Sequence, residues 1–335
     1  MNLRSARSAT AVRTGLVATL CAATAIGTFS YVTGHPVGGD STHDGSINAS
    51  ADDPASFTTA DVGACLTWNV SDSGEVTNFE QTPCDSEHRF EVSARENLGT
   101  YPSSEFGDEA PRPDLTRQAQ LREELCQAPT LRFLNGRFDP VGRYSIAPIL
   151  PPAAAWEAGD RTMLCGLQST DSSGMPMLTV GSASTQDQAR VSKPGECVLV
   201  DNSHSLRTVD CSEDHNLEIT QVVDLTAQFP EGVPSVEDQD RYLSGVCTQA
   251  AMDYLGGEEQ LYQSTLQPYW GTLEQPSWIG GSRSVNCALT FAREDGAFAT
   301  VTGSAKDGRE ALKVDGQTPA APPERDPLRD AARTP

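Results

Sequence analysis

The chain of 335 residues is long enough for two domains of ordinary size, and its 24 basic residues against 46 acidic ones give a formal net charge of −22. A surface of that sign repels phosphate backbones and anionic headgroups, which excludes nucleic acid and non-specific membrane-surface binding. Basic ligands and divalent cations stay open, beside the plain reading of an acidic surface that keeps the protein soluble.

Residues 1–14 hold Arg4, Arg7 and Arg13 and no acidic residue, and an uncharged run from Gly15 to Val32 follows them. Segment 15–33 is near the lower length limit for a membrane-spanning helix. Positive charge on its short side predicts a single-pass protein with a cytoplasmic N-terminus and everything beyond it extracytoplasmic. A cleaved signal peptide with the small-residue site Ala23-Thr24-Ala25 is the alternative. Apolar character continuing past that site to Val32 favours an uncleaved anchor. Cys21 follows Leu20 inside the run and reads as a buried membrane thiol. Residues 34–56, rich in Gly, Asp, Ser and Asn, have the composition of a flexible linker. At the other end residues 306–335 mix charges with Pro319, Pro322, Pro323, Pro327 and Pro335 and show no apolar period, which predicts a disordered tail.

Between linker and tail the sequence repeats itself, and the repeat sets the expected architecture. Gly63-Ala64-Cys65 opens the first copy and Gly195-Glu196-Cys197 the second. Cys84, His88 and Phe90-Glu91-Val92 are matched by Cys211, His215 and Leu217-Glu218-Ile219. Each copy has a third cysteine, Cys126 or Cys247, within a helical pattern. Trp156, Arg161 and Cys165 recur at identical spacing as Trp278, Arg283 and Cys287. Gly181-Ser182-Ala183 returns as Gly303-Ser304-Ala305. Two domains are expected, 57–186 and 187–305.

In the second copy Tyr242, Val246, Ala250 and Tyr254 recur every four residues and predict a helix face, with Ser235 as N-cap and Glu237 and Asp238 in the first turn. Leu115, Ala119, Arg122 and Cys126 do the same in the first copy, until Pro129 ends the stretch. Segments 89–94, 162–168, 176–181, 216–224, 284–292 and 297–302 read as strands, and Ser173-Gly174 and Asp295-Gly296 as hairpin turns. The expected fold class is α+β: two tandem disulfide-stapled domains after the anchor, each a helix packed on a small antiparallel sheet.

Eight cysteines in an exported chain point to disulfides. Four per domain allow three pairings. The pairs Cys65–Cys84, Cys126–Cys165, Cys197–Cys211 and Cys247–Cys287 are expected because both copies must share one topology and the first two cysteines of each lie close in sequence.

These residues resemble the actinobacterial septum-formation family of membrane-anchored, extracytoplasmic proteins. The resemblance rests on the Gly-x-Cys start, the Cys followed closely by His and a Glu-Val strand, the helical cysteine, and the ending Trp156-Glu157-Ala158-Gly159-Asp160-Arg161 to Cys165. It covers about residues 57–305. The second copy departs from it, with Ser282 in place of Asp160 and Ile219 in place of Val92. The resemblance implies association with the cell envelope and septum formation and names no ligand.

His88 and His215 each follow a cysteine by four positions. Zinc there would need free thiolates, so a structural ring packed beside a disulfide is expected, and no metal or other cofactor. Trp156 with Asp160 and Arg161, and Trp278 with Arg283, are candidate contacts for glycan or peptide, against the alternative that they stack within the domain. No Gly-x-Ser-x-Gly elbow or Ser-x-x-Lys is present, and the lysines are Lys193, Lys306 and Lys313, so no activated nucleophile is signalled. The expected function is a non-enzymatic interaction module that engages cell-envelope or division proteins, with cell-wall glycan as a further contact. The alternatives are a cell-wall hydrolase with paired carboxylates and a binder of divalent cations or a secreted ligand.

Overall fold

The structure, a computed structural model, describes residues 59–70, 76–101, 104–171, 174–201 and 205–324. The expected anchor and linker lie outside the described residues. Among the described residues no helix is long and apolar enough to cross a membrane. They divide into two compact units, one of residues 59–190 with 273–283 and one of residues 191–272 with 284–324. Both are mixed helix and antiparallel sheet.

The first unit contains β1 (Cys65–Val70), β2 (Val76–Thr82), β3 (Phe90–Asn97), β4 (Tyr144–Ile149), β5 (Thr162–Thr170) and the short β6 (Pro176–Met177). They pair in the order β2-β1-β3-β5-β4, with β6 on β5. The central strand β5 is buried almost throughout because it contributes to two apolar clusters. Met163, Cys165 and Leu167 join one with Leu121 and Trp156, and Leu164 joins another with Leu66, Phe90 and Val92. Between them Gly166 is required, since a Cβ there would collide with the Phe90 ring and the Glu91 carbonyl.

The helical layer begins at α1 (Leu115–Leu121), where the Asp114 side chain accepts from the Arg117 N–H. It passes through a π-helical turn, Arg122–Cys126, into α2 (Gln127–Phe133). The predicted stop at Pro129 is therefore corrected. The wide π turn opens the helix wall where the proline ring would otherwise meet a carbonyl one turn back. The same turn displaces the predicted face: Gln118, Leu121, Cys126 and Thr130 are buried, while Leu115 is 45% exposed. A third short helix, α3, spans Ala153–Glu157.

The second unit has β7 (Cys197–Val200), β8 (Leu206–Val209), β9 (Leu217–Asp224), β10 (Gln267–Trp270) and β11 (Ser284–Thr290). Their order, β8-β7-β9-β11-β10, repeats the connectivity of the first sheet strand for strand. Its long helix α4 (Val236–Leu255) starts where Ser235 accepts from the Asp238 N–H and ends at Gly256, whose φ of 94° only glycine adopts freely. Gln239, Leu243, Cys247, Ala250 and Ala251 form its buried stripe. The predicted stripe is thus rotated, with Tyr242, Val246 and Tyr254 half-buried on its flank. Helix α5 (Glu258–Ser264) follows.

The unit does not stop at residue 305. Val301–Thr302 (β12) pairs with Lys313–Val314 (β13), and Leu312 is fully buried beside Leu266, Leu289 and Val301. The disordered reading of residues 306–324 is corrected accordingly: one deeply buried leucine and a two-residue strand leave no apolar period to detect. At Asp295-Gly296 a hairpin forms, with Arg293 N–H bonded to the Ala297 carbonyl at 2.8 Å and Ala292 bridged to Phe298. The cysteines pair as Cys65–Cys84, Cys126–Cys165, Cys197–Cys211 and Cys247–Cys287, with Cα–Cα separations of 5.1–5.2 Å. In each unit one bridge closes a strand hairpin and the other ties the helical layer to the central sheet.

Candidate functional site

Part of the repeated pattern meets in space: in each unit the Gly-Ser-Ala segment closes on a buried strand glutamate. Glu91 on β3 is 3% exposed and Glu218 on β9 is 2% exposed. A lone buried carboxylate is costly unless donors surround it. Ser182 Oγ donates to Glu91 Oε1 at 2.5 Å and the Ala183 N–H to Oε2 at 2.7 Å. On Glu218, Ser304 Oγ and Tyr254 OH donate to Oε1 and the Ala305 N–H to Oε2, all at 2.7 Å. The Gly-Ser-Ala segment is therefore the counterpart of the strand glutamate, although they are about ninety positions apart.

The glycine of each segment completes the fastening. Gly181 N–H bonds to the Cys84 carbonyl and Gly303 N–H to the Cys211 carbonyl, both at 2.7 Å. Their φ angles are 90° and 89°, and a Cβ at Gly303 would strike the Ala311 carbonyl. The segment is thus tied to both the strand and the disulfide hairpin.

His88 is 2% exposed and exchanges two backbone hydrogen bonds with Thr179, and His215, 1% exposed, does so with Val301. Their Nδ1–H groups donate at 2.9 Å to the Ser86 and Glu213 carbonyls. Both rings close the loop that follows a disulfide. Burial and the bond to Glu218 push the Tyr254 hydroxyl well above the usual tyrosine range, keeping it a donor. The Lys306 ammonium lies 4.1 Å from the centre of the Tyr254 ring.

Trp156, Arg161 and Trp278 are buried and Arg283 is half-buried, so of the two readings of these pairs the geometry favours stacking within the domain. Trp156 is 2% exposed and its Nε1–H donates to the Ala110 carbonyl at 2.8 Å. Arg161, 7% exposed, stacks its guanidinium 4.1 Å from the Trp156 ring. It donates to the carbonyls of Trp156, Asp160, Phe106, Gly107 and Asp108. A planar fork of donors suits this gathering of loop carbonyls better than a point-charge ammonium would. Trp278 is likewise buried, with the Arg283 guanidinium 4.4 Å from its ring and bonded to the carbonyls of Trp278 and Ser282.

Asp160 accepts from the Thr162 N–H at 2.8 Å and turns the chain into β5. Its counterpart Ser282 does something else. It is fully buried and donates at 2.5 Å to Asp139, which is 2% exposed and also accepts from Ser277 Oγ at 3.2 Å and the Val141 N–H at 3.1 Å. The Gln275–Gly280 helix packs so closely here that a Cβ at Gly280 would meet the Asp139 backbone at 2.7 Å. Nothing in the sequence pattern singled out Asp139.

Among the described residues two groups have metal-ligand composition, Cys65 with Cys84 and Glu91, and Cys197 with His215 and Glu218. Their sulfurs are committed to disulfides, so neither offers a thiolate to a metal. Sequence reasoning noted Glu91, Glu218 and both Gly-Ser-Ala segments but gave them no role. Their recurrence in both halves of the sequence was the available signal.

The sequence pattern described as septum formation matches residues 62–287, which take in both sheets. Two curated relatives, each called an uncharacterized membrane protein, come from Mycobacterium tuberculosis strains CDC 1551 / Oshkosh and H37Rv. Each is 35% identical over 274 residues, covering 81% of this chain and 60% of the relative. The chain thus spans about 60% of the length of these relatives. No solved structure matches it. The chain belongs to the septum-formation family.

Proposed function

We propose that this septum-formation family member is a non-catalytic, extracytoplasmic interaction protein of the cell envelope. In this reading two tandem copies of one stapled domain stand beyond an N-terminal anchor at residues 15–33. One observation carries it: the side chains repeated between the two halves are spent on internal fastening. Glu91, Glu218, His88, Trp156 and Arg161 bond to the backbone, as does His215 through Nδ1. A hydrolase would instead present two carboxylates flanking a substrate cleft. What is repeated preserves a shape, and a preserved shape with variable surfaces suits recognition. Relatives named as membrane proteins support the envelope location, and the family's description supports septation.

The test is to express the full chain with a fluorescent tag in dividing cells, cross-link the envelope, and incubate the purified protein with peptidoglycan. Enrichment at septa, cross-links to division or wall-synthesis proteins and intact peptidoglycan are expected. Turnover of wall substrate that vanishes on substituting Asp160 or Glu91 would overturn the reading.

A further inference from the structure

The second unit carries a groove between α4 and α5 of about 590 Å³, lined by Thr248, Met252, Leu261, Tyr262, Thr265 and Leu266. The chain's own proline segment lies at it: Pro322 is part of its lining, and Tyr262 OH donates to the Pro323 carbonyl at 2.6 Å. Two cations hold the approach. Arg309 donates to the Pro319 carbonyl at 2.7 Å, and Lys313 Nζ to Thr318 Oγ1 at 2.5 Å.

Pro319 and Pro322 are half-buried, while Ala320, Ala321 and Pro323 are exposed, and the segment belongs to no helix or strand. Pro319 and Pro322 lie three positions apart, the spacing of one turn of an extended polyproline helix, which offers unpaired carbonyls along its length. An apolar groove with a tyrosine whose hydroxyl meets such a carbonyl suits recognition of a proline-rich segment. A second observation points the same way. Thr265 Oγ1, in the groove wall, is buried with no hydrogen-bond partner among the described residues. Its φ of 65° is a strained conformation for a β-branched residue.

We propose that this groove is a recognition site for an extended Pro-x-x-Pro segment of a partner protein. The chain's own Pro319-Ala320-Ala321-Pro322-Pro323 lies against it in cis, with Pro322 in its wall and Pro323 held by Tyr262, as a strap that the partner must displace. Glu258 in the lining and Glu259 beside it favour a partner segment with a basic flank. The proposal rests on the interaction-protein reading only in calling the contact functional. Peptide binding is read directly, so its failure would leave the septal assignment standing.

The experiment uses a fluorescent peptide of this chain's residues 317–324 extended by two lysines, followed by anisotropy. The proteins are the full chain, the chain ended after Gln317, and the full-length Pro319→Asp plus Pro322→Asp variant, which frees the groove without truncation. Unchanged circular dichroism and disulfide maps verify folding. Either strapless form should bind the peptide at least about tenfold more tightly than the intact chain, because the intramolecular strap competes at high effective concentration. Replacing the peptide prolines at positions 319 and 322 by alanine should abolish binding. Tyr262→Phe in a strapless form should weaken it about fivefold, as expected for one hydrogen bond. The proposal is overturned if folded strapless forms fail to bind, if the alanine peptide binds equally well, or if Tyr262→Phe has no effect.

Discussion

The two units share strand order, disulfide placement, the histidine bridge and the glutamate fastening, yet they differ in the helix that crosses the sheet. In the first, a π turn splits it into α1 and α2; in the second, α4 runs unbroken for 20 residues. The glutamates differ with it. Glu218 accepts a third hydrogen bond from Tyr254 on α4, whereas the residue at the same distance beyond the helix cysteine in the first unit is Phe133, which has no hydroxyl to give. The comparison teaches which parts of this fold are fixed. Contacts that join distant segments through polar groups recur, while the helix adjusts its length and pitch around a single disulfide.

The largest expected effects probe what is common to both. Cys126→Ser with Cys165→Ser, and Cys247→Ser with Cys287→Ser, open loops of nearly equal separation, 39 and 40 residues. Each double variant should lose about 4 kcal/mol by chain entropy, measured by urea unfolding of the full chain. Unequal losses would show that the split helix alters the contribution of its staple.

Next come the glutamates, where the comparison predicts an inequality. Glu91→Ala should cost about 2–3 kcal/mol and Glu218→Ala about 1 kcal/mol more, because a third, half-buried donor loses its acceptor. Equal costs in denaturant titrations would mean that Tyr254 contributes nothing to the fastening. Arg161→Lys should cost about 2 kcal/mol, since an ammonium cannot serve the carbonyls of Trp156, Gly107 and Phe106 together. A thermal midpoint within experimental error of the parent would refute that role.

The smallest effect is the tyrosine's own. Tyr254→Phe should cost about 1 kcal/mol. Because the folded-state value of Tyr254 is raised above its unfolded one, first by burial and then by Glu218, its contribution is complete below pH 10 and is lost as the pH rises through the folded value. An ultraviolet titration should therefore show the Tyr254 phenol ionising at a lower pH after Glu218→Ala than in the parent, though still above the ordinary tyrosine range because burial remains. Identical curves would contradict the assignment.

The order of repeated motifs, the cysteine framework, the strands around Glu91 and Glu218, and the capped start of α4 at Ser235 were all legible in the sequence, because each rests on local spacing or on recurrence. The splitting of the first helix was not, since a π turn leaves no mark in a pattern read at one fixed period. The stacking of Arg161 with Trp156 was one of two readings the sequence allowed, because both types are equally at home on a surface; five backbone carbonyls decided it. Asp139 meets Ser277 and Ser282 across about 140 positions, and Leu312 finds its core beyond the last recurring motif. The sequence by itself determined which residues recur and which cysteines have near partners. Only the tertiary structure decided what the buried polar groups face, because a carboxylate, a guanidinium or a hydroxyl takes its role from the donors and acceptors that folding brings to it.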